Sequence, residues 1–157
     1  MEGLDICKYS PDRGVDHYAS GLAAILKVVV GPGKPSTHAY VSEIRRAMHT
    51  LVFSIWDRSD EYVLVVAEAN IPTGIRSPKM KECFKELLVG LLKRFKETTD
   101  DLPIGARIRL MNMTIAGIAE MARRGVSAPV GEEIYKFIFS NSGSSPESQS
   151  EEGGEKA

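Results

Sequence analysis

Apolar residues recur every three or four positions from Val15 onward. Val15, Tyr18, Ala19, Leu22, Ile25, Leu26 and Val29 share one face of a helix predicted to run to about Val30. Gly31-Pro32-Gly33-Lys34-Pro35 stops it, because glycine accepts the left-handed cap and proline cannot continue the hydrogen-bond ladder. Ser36 or Thr37 then caps a second helix, with Tyr40, Val41, Ile44, Ala47 and Met48 inward and Ser42, Glu43, Arg45, Arg46 and His49 outward, ending near Thr50. The pattern changes at Leu51. Leu51-Val52-Phe53-Ser54-Ile55-Trp56 and Tyr62-Val63-Leu64-Val65-Val66 are rich in β-branched and aromatic residues and flank polar Asp57-Arg58-Ser59-Asp60-Glu61, which predicts a β-hairpin over about 51–66.

Helical spacing returns after Ile71-Pro72-Thr73-Gly74. Ser77 followed by Pro78 is a helix start, since the N–H that proline lacks has no partner in the first turn. Met80, Phe84, Leu87, Leu88, Leu91 and Phe95 form the stripe of this third helix. Asp100-Asp101-Leu102-Pro103 opens a fourth, with Ile104, Ile108, Met111, Ile115, Ile118 and Ala122 in line and Leu110 and Met121 widening the stripe. So broad an apolar surface places this fourth helix at the centre of the bundle. Arg123 and Arg124 suit the dipole of its last turn, and Gly125 ends it. A short fifth helix covers Val130–Phe139. The expected fold is one mainly α domain over 15–140, ordered helix, helix, hairpin, helix, helix, helix. An irregular arm at 1–14 precedes it, and a Ser/Gly/Glu-rich acidic tail at 141–157, expected to be disordered, follows.

Composition narrows the function classes. A chain of 157 residues with 43% hydrophobic residues suffices for one core, and no apolar run reaches the ~18 residues of a membrane span. The start Met1-Glu2-Gly3-Leu4-Asp5 has no signal-like stretch, so the expectation is a cytoplasmic protein with no membrane partner. Cys7 and Cys83 are the only cysteines, and their wide separation reads as two free thiols rather than a disulfide framework or paired zinc ligands. Before the tail, Asn70 and Asn112 are the only asparagines and glutamine is absent, a bias met in heat-adapted proteins. The tail holds four acids and one base, which leaves the rest of the chain two charges positive. That surplus neither demands nor excludes nucleic acid.

No catalytic, cofactor or metal motif is legible. His17, His38 and His49 have no ligand spacing with one another or with a cysteine. Asp16 and His17 are adjacent, so on a helix they diverge by about 100° and do not present one acid–base site. Gly31–Thr37 resembles a phosphate loop only in having glycines and a lysine before a helix; the spacing is wrong, and Pro35 removes an N–H that a phosphate cradle uses. Asp57 and Asp60 read as turn and solubility residues.

The basic residues are the remaining signal, and the candidate nucleic-acid contacts are Arg45, Arg46, Arg58, Lys81, Lys85, Lys96, Arg123 and Arg124. Lys81, Lys85 and Lys96 fall within about 60° on the third helix, with Glu82, Glu86 and Glu97 on the adjoining strip. The bland account is a solvated face of alternating charge; the sharper one is a lysine row facing RNA or single-stranded DNA. Tyr40, Trp56 and Tyr62 suit either base stacking or core packing.

Two helices, a hairpin beginning at Leu51-Val52-Phe53-Ser54-Ile55-Trp56 and further helices together resemble the small subunit of archaeal type I-A CRISPR interference complexes, over about Val15–Gly125 and in element order. The resemblance implies a non-enzymatic helical accessory subunit of a nucleoprotein complex in antiviral defence, packed against larger protein subunits and helping to hold guide RNA or opened DNA. One alternative is a winged helix-turn-helix regulator with Asp57–Glu61 as its wing, although three acids there oppose phosphate contact. Another is an interaction module or assembly chaperone that self-associates through spare apolar surface on the third or fourth helix.

Overall fold

A computed structural model describes residues 5–29, 37–54, 59–125 and 129–140, with the side chains of 37–39 and 138–140 outside the description. Six helices are described: α1 Val15–Val29, α2 Thr37–Phe53, α3 Asp60–Ala69, α4 Pro78–Thr99, α5 Ile104–Arg124 and α6 Pro129–Ser140. The helical class expected from the sequence holds. The Gly31–Pro35 turn, the Ser36 cap and the tail at 141–157 lie outside the described residues.

The β-hairpin is not there; no strand occurs among the described residues. Leu51, Val52 and Phe53 complete α2, and Tyr62–Val66 belong to α3. The reason is a period of 3.6 inside a short apolar run. Val63, Val66 and Ala67 are buried while Leu64 and Val65 are 43% and 64% exposed, so the segment is amphipathic as a helix and would not be as a strand. The polar residues taken for a hairpin tip include a helix start: the Ser59 side chain accepts the Tyr62 N–H at 3.1 Å, and Asp60 and Glu61 occupy the first turn, where the dipole favours acids.

The centre of the bundle is α1, not the helix at 104–124. Every residue from Tyr18 to Leu26 is buried, and α1 packs against α4, α5 and α6. Its other faces carry Ser20, Gly21, Ala23 and Ala24, small residues that let neighbours approach from all sides and that a search for large apolar residues passes over. A Cβ on Gly21 would come within 2.8 Å of the Leu87 side chain, and one on Gly90 within 2.4 Å of the Tyr18 ring. By contrast α5 buries only Met111, Ile115, Ile118 and Ala122, a single stripe, and packs on α1 and α2. Ile104, expected in that stripe, is 47% exposed at the helix end.

Local caps fit the sequence signals. At the start of α4 the Ser77 hydroxyl accepts the Met80 N–H at 3.2 Å, and Pro78 occupies the first turn. Between α4 and α5 the Arg107 guanidinium donates to the carbonyls of Thr99, Leu102 and Asp100 at 3.0–3.2 Å, so this cation is spent on satisfying a helix end. Gly125, at φ 94°, stops α5.

The arm before α1 overturns the expectation of two thiols. Cys7 and Cys83 form a disulfide with Cα atoms 5.3 Å apart and no exposure of either residue. Their separation of 76 positions says nothing about distance once the arm folds back over α4.

Gly90 and Gly117 test this packing in opposite directions. Gly90→Ala is expected to lower stability by about 1–3 kcal/mol, because the rigid, buried Tyr18 ring must move. Gly117→Ala, with no atom within 4 Å of the added Cβ, is expected to raise it by about 0.5–1 kcal/mol. Urea denaturation of both variants checks the pair; shifts of the same sign would contradict the packing of α1 on α4.

Candidate functional site

Four of the eight candidate nucleic-acid residues sit beside carboxylates. Arg46 pairs with Glu43 one turn earlier on α2, and Arg45 is exposed beside it. On α4, Lys85 meets Glu68 at 3.8 Å, and the neighbouring Lys93 meets Asp60 at 3.5 Å. These two contacts run in reverse order along α3 and α4, so Lys85 and Lys93 mark the edge on which an antiparallel α3 docks. Lys81 is exposed near the start of α4 and Lys96 half-buried near its end, about 22 Å apart at the helical rise. On α5, Arg123 donates to Glu120 at 2.6 and 2.7 Å and Arg124 pairs with the same carboxylate; the hydrogen bond from Arg123 holds the Glu120 pKa below its ordinary value. Arg58 and Trp56 lie outside the described residues. Tyr40 packs over Gly74, where a Cβ would come within 2.6 Å of the ring, and Tyr62 packs on the core, so neither is a free stacking platform.

Histidine and carboxylate chemistry does not converge either. Among the described residues no group of three or more His, Cys, Asp or Glu could hold a metal ion. His17 lies half-buried under the arm, its Nε2 at 3.1 Å from the Ile6 carbonyl and its ring edge-on to Tyr18. His49 is on α2 against the Phe53 ring. The His38 side chain lies outside the described residues.

What the fold does assemble is a groove between α1 and α5. Leu110, Met113, Thr114, Gly117 and Met121 recur at spacings of three and four and so share a face of α5, and Val15, Asp16 and Ala19 come from the first turns of α1. The groove encloses about 230 Å³, below the roughly 300–1,000 Å³ typical of small-molecule sites and on the scale of an inserted side chain. Its floor is open because position 117 has no side chain and no atom lies within 4 Å of where a Cβ would be. The Thr114 hydroxyl donates to the Leu110 carbonyl at 2.8 Å, and the Ser20 hydroxyl donates to the Met121 sulfur at 3.6 Å, so these polar groups are occupied and the lining is largely apolar. Met113 stands at the rim with 68% exposure, and the exposed Asp16 adds one carboxylate.

Reading the sequence for a core stripe missed this site. Leu110 and Met121 were expected to widen a buried face, whereas they wall the groove. The available signal was Gly117 inside a strong helical stripe, a residue costing about 1 kcal/mol relative to alanine, next to an apolar Met113 that the stripe does not use.

Comparison with known proteins gives no match: no family model, no curated protein and no solved structure is significantly similar to this chain. The resemblance to the small CRISPR subunit rested on element order, and the hairpin in that order is replaced by α3.

His17 supplies a pH test of the arm. Burial lowers its pKa from the ordinary 6.5, Arg13 acts in the same direction, and the Ile6 carbonyl opposes them. A histidine whose pKa is lower folded than unfolded leaves stability untouched above the unfolded value. Below it, the unfolded chain takes up the proton first and stability falls. Stability is therefore expected to decline as pH drops from 7.5 to 5.5, and less so in His17→Gln; identical slopes would remove His17 from the linkage.

Proposed function

We propose that this protein is a non-catalytic helical interaction subunit that docks on another protein through the α1–α5 groove. Its occupant is an amphipathic helix of the partner, with one apolar side chain entering over Gly117 and a basic residue meeting Asp16. The observation that carries this is Met113, 68% exposed beside a concavity that the chain's own side chains leave open. Methionine suits such a contact, since its unbranched, polarisable side chain adapts to varied shapes, and α5 holds Met111, Met113 and Met121. A helix laid in a groove of this kind anchors through side chains three and four positions apart.

This keeps the coarser part of the accessory-subunit expectation, a small helical body packed against larger partners, and sets direct nucleic-acid contact aside. Arg46, Lys85, Arg123 and Arg124 each face a carboxylate of this chain, which offsets the field that a phosphate backbone needs. A winged-helix regulator is disfavoured because Tyr62–Val66 form a helix where the wing would return. No helix among the described residues is long and apolar enough to cross a membrane. The buried disulfide and the amide-poor body together favour a heat-adapted cell interior over a mesophilic cytosol, because intracellular disulfides are common in hyperthermophiles and rare elsewhere.

Two measurements test the proposal. Titration with single-stranded RNA, single-stranded DNA and duplex DNA at 50 and 200 mM salt is expected to show no steeply salt-dependent binding. Proteins recovered with the tagged chain are expected to be lost selectively with Met113→Asp and with Gly117→Leu, which fills the groove, while both variants stay folded by circular dichroism. Salt-steep binding abolished by Arg45→Ala with Lys81→Ala, together with partner recovery indifferent to the groove variants, would restore the nucleic-acid subunit and overturn the docking site.

A further inference from the structure

The segment Asp5–Gly14 lies across α1 and α4 with little of its own to hold it there. Cys7 alone is fully buried in it; Asp5, Lys8, Pro11, Asp12 and Gly14 are exposed. Ordering ten residues costs backbone entropy that one buried side chain and a few partly buried ones offset poorly. The other attachments are few: Ile6 and Tyr9 are only partly buried against the core, the Ile6 carbonyl stands 3.1 Å from His17 Nε2, and the rest are polar contacts. The Ser10 N–H donates to the Tyr18 hydroxyl at 2.8 Å, and that hydroxyl donates to the Ser10 carbonyl at 3.1 Å. The Tyr9 hydroxyl reaches Glu97 only at 3.3 and 3.4 Å, and the Lys93 ammonium sits 4.2 Å over the Tyr9 ring. Each can be exchanged for water at small net cost. Beneath the arm, α1 packs on α4, α5 and α6 through contacts of its own, and Ile6, Cys7 and Tyr9 add to the edge of that core.

We propose that the arm is a strap released by reduction of the Cys7–Cys83 disulfide. A dithiol reductant attacks one sulfur as its thiolate. The other cysteine sulfur leaves as a thiolate and takes a proton, and the reductant's second thiol then displaces the first cysteine from the mixed disulfide. Two electrons pass from the dithiol, which closes to a cyclic disulfide, to the cysteine pair, which becomes two thiols. The freed arm moves off α4, the Tyr18 hydroxyl exchanges its Ser10 partners for water, and Cys83 is left as an accessible thiol on the surface of α4. Because both sulfurs are buried, reduction proceeds through local opening of the arm rather than direct attack.

The arm runs straight into the first turn of α1, where the His17 N–H bonds the Gly14 carbonyl at 3.1 Å. Release therefore also loosens Val15 and Asp16 at one end of the α1–α5 groove. This consequence rests on the docking function proposed above; the release itself does not.

Amide hydrogen exchange of the full chain, with and without dithiothreitol in native buffer, tests the strap, and the Cys7→Ala/Cys83→Ala double variant provides a permanently unlinked form. Exchange in residues 5–14 is expected to rise by about ten-fold or more in both unlinked forms. Leu87–Phe95 of α4 and Met111–Ala122 of α5 are expected to keep their protection, and iodoacetamide to label Cys83 in the reduced folded chain. Retained protection of the arm after reduction would overturn the proposal. So would loss of protection in α4 and α5 together with the arm, since the disulfide would then be a staple of the whole fold. The groove is read separately: partner recovery indifferent to Met113→Asp removes the docking function and leaves the strap standing.

Discussion

Tyr18 packs against the Gly90 position of α4 so closely that a methyl group there would come within 2.4 Å of the ring, and Leu87 of α4 fills the matching gap over Gly21 of α1. The rest of the bundle follows from this contact. It draws α1 and α4 together and lets α1 be buried along nine consecutive residues, which leaves α5 and α6 to pack on its remaining faces. Close packing of this kind has no slack, because the absence of a Cβ at Gly21 and Gly90 is what creates the room. The Tyr18 hydroxyl, at the edge of the same contact, is where the arm is held through Ser10, so the seat of the arm and the core contact share one side chain.

How much of this is legible in the sequence depends on the size of the residues involved. The stripe of α4 is read correctly because Phe84, Leu87, Leu88, Leu91 and Phe95 are large, regularly spaced and bounded by the Ser77-Pro78 start. The central role of α1 is not, because its extra contacts run through Ala, Ser and Gly, which no hydropathy pattern marks as inward. Tyr62–Val66 mislead for a different reason: five apolar residues in a row satisfy both a strand and a helix, and only the burial of Val63, Val66 and Ala67 against the exposure of Leu64 and Val65 separates them. The disulfide was beyond reach, since two cysteines 76 positions apart carry no information about an arm that folds back.

The basic residues show why a count of charges does not identify a binding face. Lys85 looks, on a helical projection, like part of a lysine row with a nucleic acid to meet. In the fold it meets Glu68, and Lys93, further along α4, meets Asp60, so the two flank the seat of α3. These pairs are individually weak, with carboxylates 63% and 69% exposed, and each is worth at most about 1 kcal/mol. Burial of Val63, Val66 and Ala67 seats α3, and the two pairs lower the positive potential along the edge where it runs antiparallel to α4.

The groove presents the opposite situation, a feature that the fold's own stability does not favour. Glycine inside a helix costs about 0.5–1 kcal/mol relative to alanine, and at 117 nothing stands within 4 Å to forbid the larger residue. Gly21 and Gly90 are each required by a neighbour; Gly117 is not. Met113 beside it leaves an apolar side chain in water that the groove has room to shelter but does not. Packing accounts for α5 through Met111, Ile115, Ile118 and Ala122, and does not account for this pair. An open concavity and an exposed knob on adjacent turns are both unfavourable in isolation and both become favourable when a second surface closes over them, which is the physical case for a partner at this position.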